Sequence, residues 1–186
     1  MRDLILKMSI SLDGFVGDQD GSNTWMFGGD EAAKAWVVDT ISNAGLHIMG
    51  ARTFRDMAAW WPTATDAFAA PMNAIPKAVF SRQGPAILPP GAGSWSDAHV
   101  AGGDLAAEIA ALKAREGKPI LAHGGACFAR SLVARGLIDQ FALLVCPVAL
   151  GQGLPLFSDL AAPARLRLVS STAFPGGAVA QVYRPV

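Results

Sequence analysis

Charge is scarce in this 186-residue chain, and what there is cancels. Only 16 % of the residues are charged, and fifteen basic side chains balance fifteen acidic ones. A chain with neither net charge nor a basic stripe is not expected to bind nucleic acid. Apolar runs are also short, and none approaches the roughly 20 residues that a membrane helix needs. Arg2, Asp3 and Lys7 interrupt the N-terminal run. We therefore predict no signal peptide, no membrane contact and a cytoplasmic protein.

Cysteine and histidine are equally few. The two cysteines, Cys127 and Cys146, form no Cys-x-x-Cys pair, and His47, His99 and His123 show no ligand spacing. We therefore predict no metal site. Isolated cysteines of this kind are usually buried, reduced thiols.

Apolar residues are abundant, at 52 % of the chain, and they fall into strand-like runs that alternate with helical patterns. The predicted strands are residues 4–12, 46–49, 77–80, 98–100, 119–122 and 140–145, and the predicted helices are 31–43, 104–115 and 126–135. This alternation predicts one α/β domain over residues 1–186 with a mostly parallel sheet. Near the C-terminus, Pro175-Gly176-Gly177 predicts a hairpin between two further strands, about 167–174 and 179–184.

Polar or glycine-rich segments follow four of the predicted strands. They are Ser11–Gly14, Gly50–Thr53, Ser81–Arg82 and Gly124–Ala126. Ligands of open α/β sheets bind beyond the carboxyl ends of the strands. The coincidence of four such segments predicts one binding site at this edge of the sheet.

Gly50-Ala51-Arg52-Thr53 follows a buried strand and opens a helix. The Arg52 guanidinium offers several donors to a phosphate, and the Thr53 hydroxyl lies beside free helix N–H groups. Ser81 and Arg82 repeat the arrangement at the next strand. Two arginines suit a ligand with more than one phosphate, such as NADPH with its 2′-phosphate. The alternative is that each segment is only a turn with a solvent-facing arginine.

Gly124-Gly125-Ala126 precedes a helix but does not complete Gly-x-Gly-x-x-Gly, so the ordinary dinucleotide fingerprint is absent. Adjacent glycines let a dinucleotide approach the backbone closely, and the helix N-terminus attracts phosphate. A packing turn between strand and helix is the alternative.

Lys7 lies on the mixed face of the first strand, where a buried cation needs a partner, and Asp13 follows the end of that strand. We expect both to contact a substrate, although an Asp-Gly turn explains Asp13 equally well. Trp25 and Trp61, with Phe27, are candidate walls for a flat heterocycle; packing in a lid is the alternative. The sequence singles out no catalytic residue.

Folate reduction usually needs a buried carboxylate on the first helix. Asp39 is the only carboxylate in the interior of that predicted helix. It lies about 200° around the helix from Val37, which belongs to the apolar stripe, so we expect it to point to solvent.

Together these segments resemble the dihydrofolate-reductase-like superfamily, and within it the reductase domain at the C-terminus of the bacterial bifunctional deaminase-reductases of riboflavin biosynthesis. The similarity covers nearly the whole chain. The matching segments are Lys7–Gly14 (KMSISLDG), Met49–Phe54 (MGARTF), Gly124–Ala126, Gly136–Asp139 (GLID) and Pro147–Gly153 (PVALGQG).

The resemblance implies a three-layer α/β/α fold with a mixed, mostly parallel central sheet and a C-terminal antiparallel hairpin. It also implies NADPH as cofactor and a homodimer. Residues that it places at the cofactor are Val16, Gly17, Gly50, Arg52, Thr53, Ser81, Arg82, Gly124, Gly125 and Ala126. In this superfamily the Gly-Gly peptide is often cis, a geometry that is rare outside proline.

Two departures from the riboflavin enzymes bear on the substrate. The chain carries neither His-x-Glu nor Pro-Cys-x-x-Cys, the deaminase motifs. Phe54–Met57, followed by Trp60-Trp61-Pro62, also replaces their Asp-Asp-Pro segment. We expect a stand-alone NADPH-dependent reductase of a small heterocyclic molecule, resembling 5-amino-6-(5-phosphoribosylamino)uracil reductase. Dihydrofolate reduction and a non-catalytic NADPH-binding module are the alternatives.

Overall fold

A computed structural model describes residues 1–26 and 30–186, so the predicted aromatic wall residue Phe27 lies outside the described residues. The strands are β1 (Leu4–Ser11), β2 (Leu46–Gly50), β3 (Lys77–Phe80), β4 (His99–Ala101), β5 (Ile120–Ala122), β6 (Gln140–Cys146), β7 (Leu166–Ala173) and β8 (Val179–Pro185). The α-helices are α1 (Glu31–Ser42), α2 (Ala51–Trp60), α3 (Ala69–Ala74), α4 (Leu105–Ala114) and α5 (Ala126–Ala134). Short 3-10 turns cover Thr24–Met26, Trp61–Thr63 and Gly84–Ile87.

All eight strands join one sheet in the order β4-β3-β2-β5-β1-β6-β8-β7. The first six positions are parallel, whereas β8 runs antiparallel to both β6 and β7. The mixed, mostly parallel sheet with its C-terminal hairpin is therefore confirmed. The strand β5 enters between β2 and β1, and β6 flanks β1 on the other side.

Two apolar cores cover the two faces of the sheet. On one face, Leu6 and Ala122 belong to the core that includes Leu132 of α5 and Ile109 of α4. On the other face, Leu121 belongs to the core that includes Val37 of α1 and Met72 of α3. The molecule is therefore a three-layer sandwich, as predicted. Within the described ranges, no helix combines the length and the apolar character that crossing a bilayer requires.

Aspartates cap two of the longer helices. Asp30 accepts a hydrogen bond of 2.8 Å from the backbone N–H of Ala33 at the start of α1. At α4, Asp104 accepts from the N–H groups of Ala106 and Ala107. Such caps satisfy N–H groups that have no partner inside the helix. Both helix starts are close to those predicted.

Candidate functional site at the strand ends

The chain reverses its direction across the sheet beside β5, and in open α/β sheets such a reversal leaves a crevice at the strand ends. After β1 and β2 the chain moves outward in one direction, and after β4 it returns through α4, β5 and α5. Right-handed crossovers then place α4 and α5 on the face opposite α1, as the two cores show. The carboxyl ends of β1, β2 and β5 therefore border a topological switch point, where open α/β sheets bind ligands.

Two helices begin at this crevice without a side-chain cap. Gly50 is the N-cap of α2 and Gly125 the N-cap of α5, and neither position supplies a capping side chain. The first-turn N–H groups of both helices are thus available to a ligand, unlike those capped by Asp30 and Asp104. Helix N-termini with free N–H groups attract anions.

The glycines of the two turns lie against neighbouring elements. A Cβ atom added to Gly125 would overlap the Thr53 hydroxyl, so the first turn of α2 touches the start of α5. A Cβ on Gly50 would lie 3.1 Å from the Cβ of Phe128, and one on Gly124 would lie 3.2 Å from the Met8 sulfur. The strand-end segments predicted from sequence are therefore brought together at β2 and β5. The contacts of Met8 and Phe128 were not predicted.

The cis Gly124–Gly125 peptide implied by the resemblance is wrong for this chain. Peptide bonds are trans throughout the described residues. The turn is made instead by Gly125, whose φ of 101° and ψ of 100° are accessible to glycine and costly for other residues.

The predicted phosphate-binding side chains differ in accessibility. Arg52 in the first turn of α2 and Arg82 after β3 are exposed, whereas Thr53 is half-buried. Ser81 is buried, and its hydroxyl accepts a hydrogen bond of 3.1 Å from the N–H of Gln83. The arginines are therefore free to reach a ligand, while the Ser81 oxygen also shapes the local turn.

Asp13 binds two loops together. Its carboxylate accepts hydrogen bonds from the Ser11 hydroxyl (2.6 Å) and from the N–H groups of Leu150 (3.0 Å) and Gly151 (2.7 Å). The bond from Ser11, then those from the backbone, lower the pKa of Asp13 to about 2. Because the protein itself engages this carboxylate, the geometry favours the turn alternative over substrate contact.

Replacing Asp13 with asparagine is therefore expected to lower the melting temperature near neutral pH. The pKa of Asp13 falls from 3.8 to about 2 on folding, so its stabilisation is full above about pH 4 and is lost as pH falls toward 2. Melting curves of parent and Asp13→Asn should differ most near pH 6 and converge near pH 2. Asp39→Asn, at an exposed helical position, is the control. A constant difference across this range would contradict the assignment.

The segment containing Val16 and Gly17 is fixed to the chain that follows β6. The N–H of Val16 donates to the carbonyl of Leu154 (2.9 Å), and the N–H of Leu154 donates to the carbonyl of Gly17 (2.8 Å). Gly153 has no space for a Cβ, because it would overlap the carbonyl oxygen of Gly17. These contacts hold the loop after β1 in one position beside the strand ends.

Lys7 and His123 lie side by side on the α1 face of the sheet. Lys7 is half-buried, its Nζ is 3.4 Å from the Ser9 hydroxyl, and burial lowers its pKa to about 8. The register that pairs Leu6 with Ala122 puts Lys7 beside His123. Burial, and then the nearby His47 and the two lysines, lower the pKa of His123 well below its usual value. Sequence reasoning missed His123, although its position directly before Gly124 was a usable signal.

The two predicted tryptophan walls have different settings. Trp61 is half-buried, with its ring 6.2 Å from that of Phe68, and its carbonyl accepts a hydrogen bond from Asn73. Trp25 lies half-buried in the turn Thr24–Met26. Their role beside a substrate stays a prediction.

Comparison with solved structures defines the fold. A putative riboflavin biosynthesis protein from Shewanella sp. PV-4 has a TM-score of 0.76 and 20 % identity, covering 99 % of each chain. The deaminase/5-amino-6-(5-phosphoribosylamino)uracil reductase from Thermotoga maritima has a TM-score of 0.73 and 17 % identity, covering all of this chain and 57 % of that one. Dihydrofolate reductase from Enterococcus faecalis, complexed with NADP(H) and RAB-propyl, has a TM-score of 0.63 and 12 % identity, covering 98 % and 96 %. The protein therefore has the dihydrofolate-reductase-like fold, as predicted.

The family follows from the sequence itself. Residues 2–180 match the model of the RibD C-terminal domain. Because the match spans nearly the whole chain, the protein belongs to the RibD C-terminal domain family.

Proposed function

We propose that this protein is an NADPH-dependent reductase of a small heterocyclic substrate, related to the pyrimidine reductase of riboflavin biosynthesis. The observation that carries the proposal is the meeting of two uncapped helix N-termini, those of α2 and α5, at the switch point of the sheet. Two such termini offer paired anion sites, which suits the pyrophosphate and 2′-phosphate of a dinucleotide. The NADP(H) bound to the Enterococcus faecalis enzyme of the same fold supports this choice of cofactor.

In this proposal each part of the crevice has one role. Arg52, Thr53 and Arg82 hold the phosphates at the adenosine end, with Gly50 and Ser81 shaping their turns. Gly124, Gly125 and Ala126 lie under the pyrophosphate and nicotinamide. Val16 and Gly17 flank the nicotinamide, and Lys7 contacts the substrate. Bound NADPH would supply the hydride, while these residues would orient both molecules and exclude bulk water.

The experiment that tests the function is a screen for oxidation of NADPH, followed by its absorbance, across pyrimidines, pterins and flavin precursors. A pyrimidine or flavin precursor that drives oxidation supports the proposal. Binding of NADPH, measured by calorimetry, with no turnover of any compound would instead favour the non-catalytic binding module. No binding at millimolar NADPH would contradict both.

Dihydrofolate is expected to be a poor substrate. The residues that α1 buries against the sheet are Ala33, Val37 and Ile41, and Asp39 is exposed. Within the described part of the chain, α1 thus places no carboxylate on the sheet to hold a pterin. If dihydrofolate is turned over at a rate comparable to that of the best pyrimidine, the expectation that it is a poor substrate is wrong.

Arg52→Ala is expected to raise the dissociation constant of NADPH about tenfold, which is about 1.4 kcal/mol. An exposed arginine that binds a phosphate loses this much or somewhat more when truncated, because a charge-assisted hydrogen bond is removed. Calorimetric titration measures the change. Arg55→Ala is the matched control, since Arg55 is also exposed on α2 but lies one turn beyond its start. Equal affinities of parent and Arg52→Ala would remove Arg52 from the site.

We also propose a homodimer in which the edge strands β7 of two copies pair. The strand β7 is at the edge of the sheet and is exposed at every residue after Leu166, with Leu168 and Val169 49 % and 48 % exposed. A long edge strand with exposed aliphatic residues is usually covered in native proteins. A cytoplasmic location is part of the proposal, because the unpaired thiols of Cys127 and Cys146 suit a reducing compartment.

Val169→Lys is therefore expected to convert the dimer to a monomer in light scattering coupled to gel filtration. A lysine on each edge places like charges at the junction of the two strands and blocks pairing. Trp60→Lys, which adds the same charge at an exposed apolar position away from β7, should leave the mass unchanged. A dimer that survives the Val169 change would place the interface elsewhere.

A further inference from the structure

Two histidine rings touch on the same face of the sheet as Lys7. His47 of β2 and His123 after β5 have ring centroids 4.5 Å apart, with the ring planes at 76°. The residues are 0 % and 5 % exposed. One nitrogen of each ring, Nδ1 of His47 and Nε2 of His123, is enclosed and has no hydrogen-bond partner within the described chain. Buried polar atoms nearly always find a partner, so two unpaired ones on touching rings indicate that they serve each other.

The tautomer of His47 follows from its one hydrogen bond. Its Nε2 lies 3.2 Å from the carbonyl oxygen of Ile41, and a carbonyl oxygen only accepts. Burial lowers the pKa of His47 to about 4, so the ring is neutral at pH 7 and carries a single N–H. That hydrogen is on Nε2, and Nδ1 is left as an acceptor that needs a donor.

His123 is the neighbour that has such a donor to offer. Of the titratable groups on this face, the Lys77 ammonium already binds the Ser94 hydroxyl (2.9 Å) and lies over the Trp95 ring, 4.7 Å from its centroid. The Lys7 ammonium, on the far side of His123, binds Ser9. Cys146 is on β6, beyond Lys7, and the residues that α1 buries here are apolar.

We propose that His47 is a positioning residue that fixes the tautomer of His123. Rotation of the rings lets Nε2–H of His123 donate to Nδ1 of His47, and this hydrogen bond satisfies both enclosed atoms. Nδ1 of His123 is then always an acceptor. It has no hydrogen bond within the described chain and, unlike Nε2, is not enclosed. His123 therefore presents an acceptor beside the Lys7 donor.

The acceptor of His123 and the donor of Lys7 together favour one kind of ligand edge. This preference rests on the proposed function, because it requires that the crevice hold a substrate. An acceptor beside a donor is complementary to a ligand edge that carries N–H next to a carbonyl oxygen, as in a lactam or imide. It is mismatched to an edge on which the N–H is methylated. The substrate class is thus narrowed to heterocycles with an unsubstituted lactam edge.

The tautomers are measured directly by two-bond ¹H–¹⁵N correlation spectra of protein labelled at histidine. We expect His47 and His123 both to carry hydrogen on Nε2 at pH 7, with assignments from His47→Gln and from His99→Gln, a control at an exposed histidine. In His47→Leu the acceptor is gone, and His123 should shift toward the Nδ1–H tautomer. His47→Gln should keep the original tautomer of His123, because the glutamine amide can donate to Ile41 and accept from His123.

Hydrogen on Nδ1 of His123 in the parent, or loss of its Nε2–H tautomer in His47→Gln, would overturn the proposal. So would an unchanged His123 spectrum in folded His47→Leu.

The ligand preference is tested in the same spectra with uracil and 1,3-dimethyluracil at millimolar concentration. Uracil should move the Nδ1 resonance of His123, and dimethyluracil should not. Uracil binding should weaken about tenfold in His47→Leu and recover in His47→Gln. Equal responses to the two compounds, or none to uracil, would contradict the lactam preference. NADPH affinity, measured separately in each variant, should not change. Failure of the parent protein to bind NADPH would count against the proposed function and not against the proposed tautomer of His123.

Discussion

Gly125→Ala is expected to lower NADPH affinity at least a hundredfold, a loss of about 2.7 kcal/mol or more. Two effects combine at this position. Alanine is strained at a φ of 101°, at a cost of about 1–3 kcal/mol, and its methyl group would overlap the Thr53 hydroxyl. Relief of that overlap requires the Thr53 side chain to rotate or the N-termini of α2 and α5 to separate. Because Thr53 and those two termini make up the proposed phosphate site, either change disrupts it.

Gly136→Ala is the matched control for this change. Gly136 lies just beyond the other end of the same helix, also has a positive φ (63°), and has nothing within 4 Å of an added Cβ. Gly136→Ala should lower the free energy of unfolding only by the backbone strain, about 1 kcal/mol, and leave NADPH affinity unchanged. Calorimetry with NADPH and thermal melts of both variants separate the two effects. Gly125→Ala protein that is folded and binds NADPH like the parent would show that this turn is not in the cofactor site.

Lys7→Met is expected to stabilise the protein while removing reductase activity. The pKa of Lys7 falls from 10.5 to about 8 on folding because burial penalises its charge. At pH 7 the lysine is charged in both states, and its burial costs about 3.5 kcal/mol at most, since the pKa falls by about 2.5 units of about 1.4 kcal/mol each. Methionine has nearly the same shape without the charge. The free energy of unfolding should therefore rise by about 1–3 kcal/mol at pH 7.

The difference in stability between the parent protein and Lys7→Met should depend on pH. As pH rises from 8 to 10.5, the folded protein loses the Lys7 proton before the unfolded chain does, so the parent becomes more stable. Lys7→Met lacks this gain, and the stability difference between the two proteins should vanish near pH 10.5. Lys77→Met is the control, because Lys77 is also buried with a pKa lowered to about 8 but binds Ser94.

Turnover distinguishes the two lysines. With the best substrate of the NADPH-oxidation screen, Lys7→Met should lose at least about a hundredfold in kcat/KM, as expected when a group that binds and polarises the substrate is removed. Lys77→Met should retain most of its activity. Both should bind NADPH normally. Retained turnover in Lys7→Met would exclude Lys7 from substrate contact.

Local patterns predicted the sheet and the edge at which the site lies. Alternating and helical periodicities are properties of neighbouring residues, so the β1, α1 and β6 regions could be predicted without knowledge of the fold. The segment 58–76 is rich in Trp, Pro, Ala and Thr, which predicts an ordered loop or broken helix. It is a broken helix: α2 ends at Trp60, the turn Trp61–Thr63 follows, and α3 begins at Ala69. The strand-end segments Gly50–Thr53 and Gly124–Ala126 could be expected to converge because parallel strands end at the same edge.

Contacts between residues that are far apart in the sequence could not be predicted from local patterns. The Asp13 carboxylate is engaged by Leu150 and Gly151, which are 137 and 138 residues away, so its local Asp-Gly pattern could not distinguish a loop tie from a substrate contact. The contact of His47 with His123 likewise requires that β5 insert beside β2, which no local pattern encodes. Both faces of β7 are exposed because no helix within the described residues covers this strand. The alternation of apolar and polar residues along β7 does not reveal this.

The position of β1 in the sheet has a consequence for synthesis on the ribosome. Of the described strands of this sheet, β1 is made first, yet its two neighbours, β5 and β6, are the last two of the parallel strands. One edge of β1 must therefore wait, unpaired, until β5 has left the exit tunnel, and the other edge until Cys146, at the end of β6, has left it. Pairing across such long separations is slow, and exposed strand edges in nascent chains invite aggregation. A ribosome-bound chaperone that holds β1 should thus increase the yield of folded protein more than one that acts after release.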